Sequence, residues 1–271
     1  MMNSLWTEVA PFLPEVVLVI SCLSYLVLGA FQGDEATDFI SKSAQYLVLP
    51  FLILMFLVQD TAATSMFAFE GMAVASAYTK YVNIIILGSL MVLLNVHRRY
   101  RVADQIQSFE FPILMLLSGL GMMVLVSANS LLSFYMGLEL QSLSIYILVA
   151  IRRDQSREGE AAVKYFTLGA LASALILFGC SYIYGFTGTL TFDGIAASLS
   201  AESQAPLLVY LGMALVLAGL AFKISATPFH MWTPDVYEGS PMVVTAFLAS
   251  APKFAAFAFL MRLLVGPFLP F

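Results

Sequence analysis

Long apolar segments dominate this chain and restrict what it can fold into. Eight of them cover residues 12–31, 43–58, 81–96, 111–127, 130–150, 161–185, 207–227 and 241–265. The longer ones exceed the roughly 18 residues that distinguish a membrane-spanning helix from a buried helix of a soluble protein. The segments lack the strand alternation of a barrel, and the helix is the other structure that lipid permits. The sequence therefore predicts an all-α integral membrane protein of about eight transmembrane helices.

Composition excludes a water-soluble domain and several other classes of protein. Of the 271 residues, 61% are hydrophobic and 11% are charged, whereas soluble domains carry about 25% charged residues. No basic stripe predicts binding to nucleic acid. Cys22 and Cys180 each lie alone in an apolar segment, which predicts buried thiols rather than a disulfide or a metal site. No positively charged region precedes residues 12–31, so we expect a first span rather than a cleaved signal.

The basic residues of the loops predict how the helices are oriented. One side of the membrane receives Lys42, Arg98, Arg99, Arg101, Arg152, Arg153 and Arg157. The other side receives Lys80 and, near the end of the last span, Arg262. By the positive-inside rule, the arginine-rich side faces the cytoplasm or the mitochondrial matrix. An even number of spans then places both termini on the periplasmic or intermembrane side.

Among the charged residues inside the predicted spans, four stand out as candidate functional groups. Glu139 lies in the fifth span, Lys164 near the cytoplasmic end of the sixth, Lys223 in the seventh and Lys253 midway along the eighth. Each deep charge costs roughly 2.5–3.5 kcal/mol on the insertion scale. A structural salt bridge explains Glu139 and one lysine, but the second deep lysine needs a further role. Lys164 is near enough to the interface to extend its amine into water.

A proton relay accounts for the choice of residue types. Burial disfavours the protonated form of a lysine, whereas a nearby carboxylate favours it, so a lysine beside a movable carboxylate can take up and release a proton. Arginine stays protonated and cannot do this. All three basic residues singled out above, Lys164, Lys223 and Lys253, are lysines.

Polar side chains near these charges are open to two interpretations. Gln141, Ser142 and Ser144 accompany Glu139, and Ser225, Thr227 and His230 follow Lys223. They either complete a hydrated path or form ordinary hydrogen bonds between membrane helices. His230 is either a proton acceptor at neutral pH or an interfacial residue like Trp232.

Two prolines predict interruptions of the last two spans. Pro228 ends or unwinds the seventh helix soon after Lys223. Pro252 lies directly before Lys253 and removes one hydrogen bond from the eighth helix. Such breaks are common where transport proteins bind ions or pass protons, and they also occur in ordinary membrane helices.

Four stretches of the sequence resemble the antiporter-like subunits of respiratory complex I, the NADH:quinone oxidoreductase. They read FYMGLELQSLSIYIL, EAAVKYFTLGALASALILFGCSYIYG, AFKISATPFHMWTPDVYEGSP and FLASAPKFAAFAFLMRL. The segment TPFHMWTPDVYEGSP is most similar to the subunit N family, called subunit 2 in mitochondria. The resemblance is strongest between residues 110 and 265.

The resemblance implies roles for the buried charges. It implies that Glu139 is the carboxylate of the fifth helix and that Lys223 is its partner on a broken seventh helix. Lys253 matches the central lysine of the eighth helix, which leads towards an exit half-channel. Lys164 matches a lysine of the same hydrophilic axis.

The resemblance also implies an organisation of the chain. Residues 1–105 are expected to form three N-terminal transmembrane helices, and residues 106–271 one antiporter-like five-helix repeat. Members of the family are nearly twice as long and carry a second, inverted repeat. We expect a separate chain or a missing segment to supply it.

The function implied is that of a membrane subunit of proton-pumping NADH:quinone oxidoreductase, in a mitochondrial inner or bacterial cytoplasmic membrane. This chain is expected to bind no cofactor, since FMN, iron–sulfur clusters and quinone belong to other subunits. The implied partners are the neighbouring M-type and small K-type subunits and lipids, with no nucleic acid. The alternatives are a subunit of a cation/proton antiporter or of a membrane-bound hydrogenase, and a scaffold that transports nothing.

Overall fold

The computed structural model describes residues 8–58, 66–102, 106–152, 154–201 and 207–268. Within them the chain is mostly helical. The helices are α1 (Leu13–Gln32), α2 (Thr37–Val58), α3 (Ala77–Tyr100), α4 (Glu110–Ser127), α5 (Leu131–Val149), α6 (Ser156–Thr187), α7 (Phe192–Ala201), α8 (Leu207–Lys223), α9 (Thr233–Gly239), α10 (Met242–Ala249) and α11 (Ala251–Val265). Short 3₁₀ turns, Ala10–Phe12 and Gly33–Ala36, precede α1 and α2.

Among the described residues, six helical segments are long and apolar enough to cross a membrane. They are Ala10–Gln32, Ala77–Tyr100, Glu110–Ser127, Leu131–Val149, Ser156–Thr187 and Met242–Val265, and Leu207–Lys223 is a shorter apolar helix. Helix α2 coincides with the second predicted apolar segment. The predicted class, an all-α integral membrane protein, is confirmed. The predicted domain boundary at residue 105 and Arg153 lie outside the described residues.

A short β-hairpin, which the sequence analysis did not predict, lies between α2 and α3. Strand β1 (Met66–Ala68) pairs antiparallel with β2 (Ala73–Ala75). The turn between them places Phe69, Glu70 and Gly71 at positive φ. The side chain of Asn129 donates to the Gly71 carbonyl at 3.0 Å. The hairpin therefore packs against the turn that joins α4 to α5.

Helices α4 and α5 pack with their backbones in contact. A Cβ atom on Gly121 would lie 2.4 Å from the backbone nitrogen of Gln141, and one on Gly137 would lie 2.6 Å from that of Leu125. Close approach through small residues is the usual way in which membrane helices associate. Helix α4 is also the most buried of the six candidate spans. The pair α4/α5 is thus a rigid central unit.

Helices α6 and α8 form a second pair of the same kind. A Cβ atom on Gly179 would lie 2.5 Å from the carbonyl oxygen of Gly212, and one on Gly212 would lie 2.8 Å from that of Gly179. A Cβ atom on Gly219 would lie 2.3 Å from the side chain of Ile176. Helix α8 is therefore held on α6 along much of its length.

The seventh predicted span is interrupted before Pro228, as the sequence predicted. Helix α8 stops at Lys223, and Ser225 adopts a left-handed φ of 59°. Such a conformation costs a residue other than glycine on the order of 1–3 kcal/mol and is concentrated at functional sites. The chain becomes helical again only at α9, so the predicted break is confirmed.

The eighth predicted span is divided at Ser250. This residue ends α10 and begins α11, with φ −117° and ψ −92°. Pro252 lies in the first turn of α11, where its missing N–H would have no helical partner. The interruption thus falls two residues before the proline, and Lys253 follows in the same turn.

The contact between α4 and α5 generates a prediction about stability. Gly137→Ala forces a methyl group against the backbone of Leu125 and should lower the free energy of unfolding by about 1–3 kcal/mol, as overpacking typically does. The measurement is thermal unfolding of the purified protein in detergent, followed by the reaction of the buried thiols of Cys22 and Cys180 with a dye.

Gly88→Ala is the matched control. Gly88 lies within α3, and a Cβ added there meets nothing within 4 Å. An equal change in both variants would contradict backbone contact between α4 and α5.

Candidate functional site

The amine of Lys223 is buried at the end of α8 and bonded to α5. Lys223 is 8% exposed. Its Nζ donates to the Ser142 hydroxyl at 3.0 Å and to the Tyr146 hydroxyl at 3.3 Å. A buried ammonium without hydrogen-bond partners would be strongly destabilised. The two α5 hydroxyls therefore define the position of the lysine between the two rigid helix pairs.

The end of α8 also contributes to the environment of Lys223. The last carbonyl groups of a helix lack intrahelical partners and carry partial negative charge, which favours a cation. One of these carbonyls, that of Phe222, accepts a hydrogen bond from the Trp232 indole at 3.1 Å. Trp232 is 3% exposed, so its ring is enclosed by the protein. The ring closes the site from the segment that follows the break.

Glu139 lies on the same face of α5 as the two hydroxyls. Ser142 is three residues further along and Tyr146 seven, the spacing at which side chains of a helix are stacked. Among the described residues, Glu139 forms no ion pair with Lys223. Its Oε1 is buried and without a hydrogen-bond partner. The carboxyl group of Glu139 can therefore accept a further hydrogen bond. Ser142, its neighbour on this face of α5, contacts the lysine.

Lys253 occupies a second, separate position. It is the third residue of α11 and is half-buried. Its Nζ lies 5.1 Å from the ring centroid of Tyr237 in α9, a cation–π distance. The hydroxyl of Tyr237 is buried without a partner. Here too a lysine amine and a tyrosine are adjacent.

Aromatic rings occupy the space between the two lysines. The ring of Tyr146 meets that of Tyr165 edge-on at 4.8 Å, and Tyr165 stacks on Trp232 at 4.7 Å. Trp232 meets Tyr237 at 6.0 Å. These tyrosines were not predicted from the sequence. The spacing of seven residues between Glu139 and Tyr146 on one helix face was the signal that identifies the first of them.

Lys164 lies in an acidic surface cluster rather than in contact with Lys223. Its Nζ is 2.7 Å from Asp235 and 2.8 Å from Glu160, and the side chain is 43% exposed. Arg157 forms a further ion pair with Glu238 nearby. These pairs tie α6 to α9 at one end of the bundle.

His230 is exposed in the segment between α8 and α9. The other histidine, His97, is buried and stacks on Phe111 at 3.9 Å. The structure therefore brings neither imidazole into contact with the buried lysines.

Basic residues expected on the cytoplasmic side share ion pairs at their helix ends. Asp38, in the first turn of α2, pairs with Lys42 and, at 2.8 Å, with Arg101 at the end of α3. Arg98 donates to Gln45 at 3.2 Å. These contacts place the start of α2 and the end of α3 at the same end of the bundle, as the orientation scheme requires.

Glu15 is a buried acidic residue that the sequence analysis overlooked. It lies in the first turn of α1 and is 7% exposed. The Asn83 amide of α3 donates to its Oε1 at 3.4 Å, and its Oε2 has no partner. An acidic residue inside an apolar segment was the signal that could have identified it.

The described residues contain no candidate metal site. Across the described ranges, no three His, Cys, Asp or Glu residues are grouped so as to hold a metal ion. Cys22 and Cys180 are buried and unpaired.

A family profile described as NADH:quinone oxidoreductase/Mrp antiporter, TM matches residues 128–269, just over half of the chain. A curated relative, NADH-quinone oxidoreductase subunit N 1 of Rhizobium meliloti (strain 1021), is 44% identical over 95% of this chain and 53% of its own length. The chain thus spans about half the length of the curated relatives it matches.

Solved structures show the same arrangement of helices. In respiratory complex I from Thermus thermophilus, one chain is 32% identical and superposes with a TM-score of 0.76, over 92% of this chain and 52% of that one. A chain of the Mrp complex from Dietzia sp. DQ12-45-1b has a TM-score of 0.78 at 22% identity, covering 94% of this chain and 48% of its own. The second similarity concerns the fold alone.

The hydrogen bonds of Lys223 generate a prediction about stability. Ser142→Ala deprives a buried amine of one of its two acceptors and should lower the free energy of unfolding by about 1–3 kcal/mol. Ser144→Ala is the control, because both hydroxyls donate to the carbonyl four residues earlier but only that of Ser142 contacts Lys223. Thermal unfolding of both variants is the measurement, and equal shifts would show that the contact contributes nothing.

Proposed function

Because the chain belongs to the NADH:quinone oxidoreductase/Mrp antiporter membrane family, we propose that it is part of a proton-translocating subunit of the subunit N type. The resemblance to subunit N is confirmed by curated relatives that carry that name. One observation carries the proposal. The buried amine of Lys223 donates to two hydroxyls of α5, on the helix face that also carries Glu139, whose Oε1 has no hydrogen-bond partner.

The proposed mechanism uses the separation of Glu139 from Lys223. When the carboxylate approaches the amine, the protonated lysine is favoured, and when it withdraws, burial favours release of the proton. Ser142 lies one turn from Glu139 and accepts from Lys223. A small displacement between α5 and α8 would therefore change the affinity of the lysine for a proton.

The remaining candidate residues are assigned roles from their positions in the fold. We propose that Lys253 passes protons towards an exit half-channel and that His230, which is exposed after the break, accepts them near the cytoplasmic side. Lys164, which is paired with Asp235 and Glu160, is proposed to belong to the same hydrophilic axis. Residues 106–271 would form the repeat that carries this pathway.

Redox chemistry is proposed to lie outside this chain. Quinone reduction, with FMN and iron–sulfur clusters in other subunits, would drive the movement of Glu139 relative to Lys223. The proposed neighbours are M-type and K-type membrane subunits, lipids and the segment that supplies the second repeat. The proposed location is an energy-transducing membrane, with the arginine-rich side facing the cytoplasm or matrix.

Substitution of the buried charges tests the proposed function. Glu139→Gln, Lys223→Met and Lys253→Met, each introduced into the whole complex, should lower NADH-driven proton uptake by inverted vesicles about tenfold or more, since proton-transfer groups typically contribute at least that much. Lys223→Arg should cause a similar loss in an assembled complex, because arginine stays protonated.

Lys42→Met is the control for loss of a lysine. Its side chain is 47% exposed and pairs with Asp38 at a helix end, where ion pairs contribute little. Unchanged proton uptake in all three buried-charge variants would support a scaffold that transports nothing.

Native-gel separation of mildly solubilised membranes tests the partners. The chain should migrate in a very large band that oxidises NADH, and mass spectrometry of that band should contain the second repeat. Migration in a small band without this activity, together with cation/proton exchange that needs no NADH, would favour the antiporter instead.

A further inference from the structure

We propose that Arg262 is a positioning residue that fixes helix α11 to the pair α4/α5, so that Lys253 keeps its place relative to Glu139. This role rests on the proposed function, in which Glu139 and Lys253 both take part in proton transfer. It gives a task to an arginine that is not itself among the candidate proton-transfer groups.

Arg262 lies in the last turn of α11, and its side chain is bonded to α4. Its Nη1 donates to the carbonyl oxygen of Val126 at 2.7 Å. Val126 belongs to the last turn of α4, where carbonyl groups lack partners within the helix and carry partial negative charge. A guanidinium at this point satisfies an acceptor that lipid could not satisfy. The bond therefore holds the end of α11 against the end of α4.

Two further contacts attach the neighbouring turn of α11 to the same group of helices. The ring of Phe259 stacks on that of Phe134 in α5, with the ring centroids 4.3 Å apart. The hydroxyl of Tyr78, at the start of α3, donates to the carbonyl of Ala258 at 2.8 Å. Helix α11 is thus attached to α3, α4 and α5 through residues that lie close together along it.

The main chain gives α11 little support at either end. The helix begins at the interruption at Ser250, with φ −117° and ψ −92°, and is followed by Gly266, with φ −92° and ψ −107°. Neither residue continues a helix. The position of α11, and with it that of Lys253, therefore depends largely on the contacts of side chains such as Arg262.

The amine of Lys253 contacts a helix that is packed on the other pair. Its Nζ lies 5.1 Å from the ring centroid of Tyr237 in α9. Helix α9 lies against α6, since a Cβ atom on Gly239 would be 2.5 Å from that of Ala161. The ion pairs described above join the same two helices. Lys253 therefore has its main chain beside α4/α5 and its amine beside the helix held by α6.

Lys223 has the opposite arrangement. Its main chain ends α8, which is packed on α6, and its Nζ donates to Ser142 and Tyr146 of α5. The two lysines thus cross one boundary from opposite sides. A displacement between the helix pairs would change the surroundings of both amines together, as long as α11 stays with α4/α5. The bond of Arg262 meets that condition.

Substitution of Arg262 in the whole complex tests its role against that of a residue that only stabilises the fold. In inverted vesicles, Arg262→Met should lower NADH-driven proton uptake per assembled complex about tenfold, because a small misplacement of a reacting group can cost up to about a hundredfold. Arg262→Lys keeps a positive charge and a donor for the Val126 carbonyl, so it should recover most of the uptake. Arg99→Met is the control, since Arg99 is exposed at the end of α3.

Distances between spin labels provide a readout that a purely structural role would not change. Nitroxides are attached to cysteines introduced by Phe257→Cys in α11 and by either Met136→Cys in α5 or Phe178→Cys in α6, three exposed positions. When the complex oxidises NADH, the distance from α11 to α5 should stay constant. The distance from α11 to α6 should shift on the order of 1–2 Å, as helices do in such transitions. In Arg262→Met the distance from α11 to α5 should become variable.

The two distances also separate failure of this proposal from failure of the proposed function. A changing α11–α5 distance, or a constant α11–α6 distance, in the complex that retains Arg262 would overturn the proposal, even if Arg262→Met did not assemble. Normal uptake and unchanged distances in Arg262→Met, with only a lower midpoint of thermal unfolding, would also overturn it. Normal uptake in Lys223→Met would instead overturn the proposed function, and the distances would still test the attachment of α11.

Discussion

The hydrogen-bonding requirement of a backbone inside lipid determines where this protein can be irregular. A helix that ends within the hydrocarbon leaves polar groups that only the protein can satisfy. Helix α8 ends at Lys223, and the indole of Trp232 bonds one of the carbonyls near that end. The lysine amine is in turn bonded by hydroxyls of α5. The break, the buried charge and the aromatic packing are therefore parts of one arrangement.

The helical segments and both interruptions follow from local properties of the sequence. Apolar length predicts the spans, and Pro228 and Pro252 predict the breaks, because a proline disfavours continuation of the helix that precedes it. The position of the second break at Ser250, two residues before Pro252, could not be predicted from the proline. It depends on how the chain before the proline packs.

Contacts between distant residues were the part of the site that sequence reasoning could not supply. Glu139 and Lys223 stand out because charge in a membrane is costly, whereas a tyrosine in a span has little cost and attracts no attention. The pairing of Lys164 with Asp235, 71 positions away in the sequence, is a contact of this kind. The burial of Trp232 is of the same kind, since only the fold shows that its ring is enclosed.

The glycine contacts divide the site between two rigid bodies. Gly121 and Gly137 lock α5 to α4, while Gly179 and Gly212 lock α8 to α6. Glu139 therefore belongs to one body and Lys223 to the other. Sliding of one pair along the other would alter the hydrogen bonds of the lysine without bending any helix. In such a movement the interface between the pairs would be a shear plane, through which a force applied at a distance would reach the buried amine.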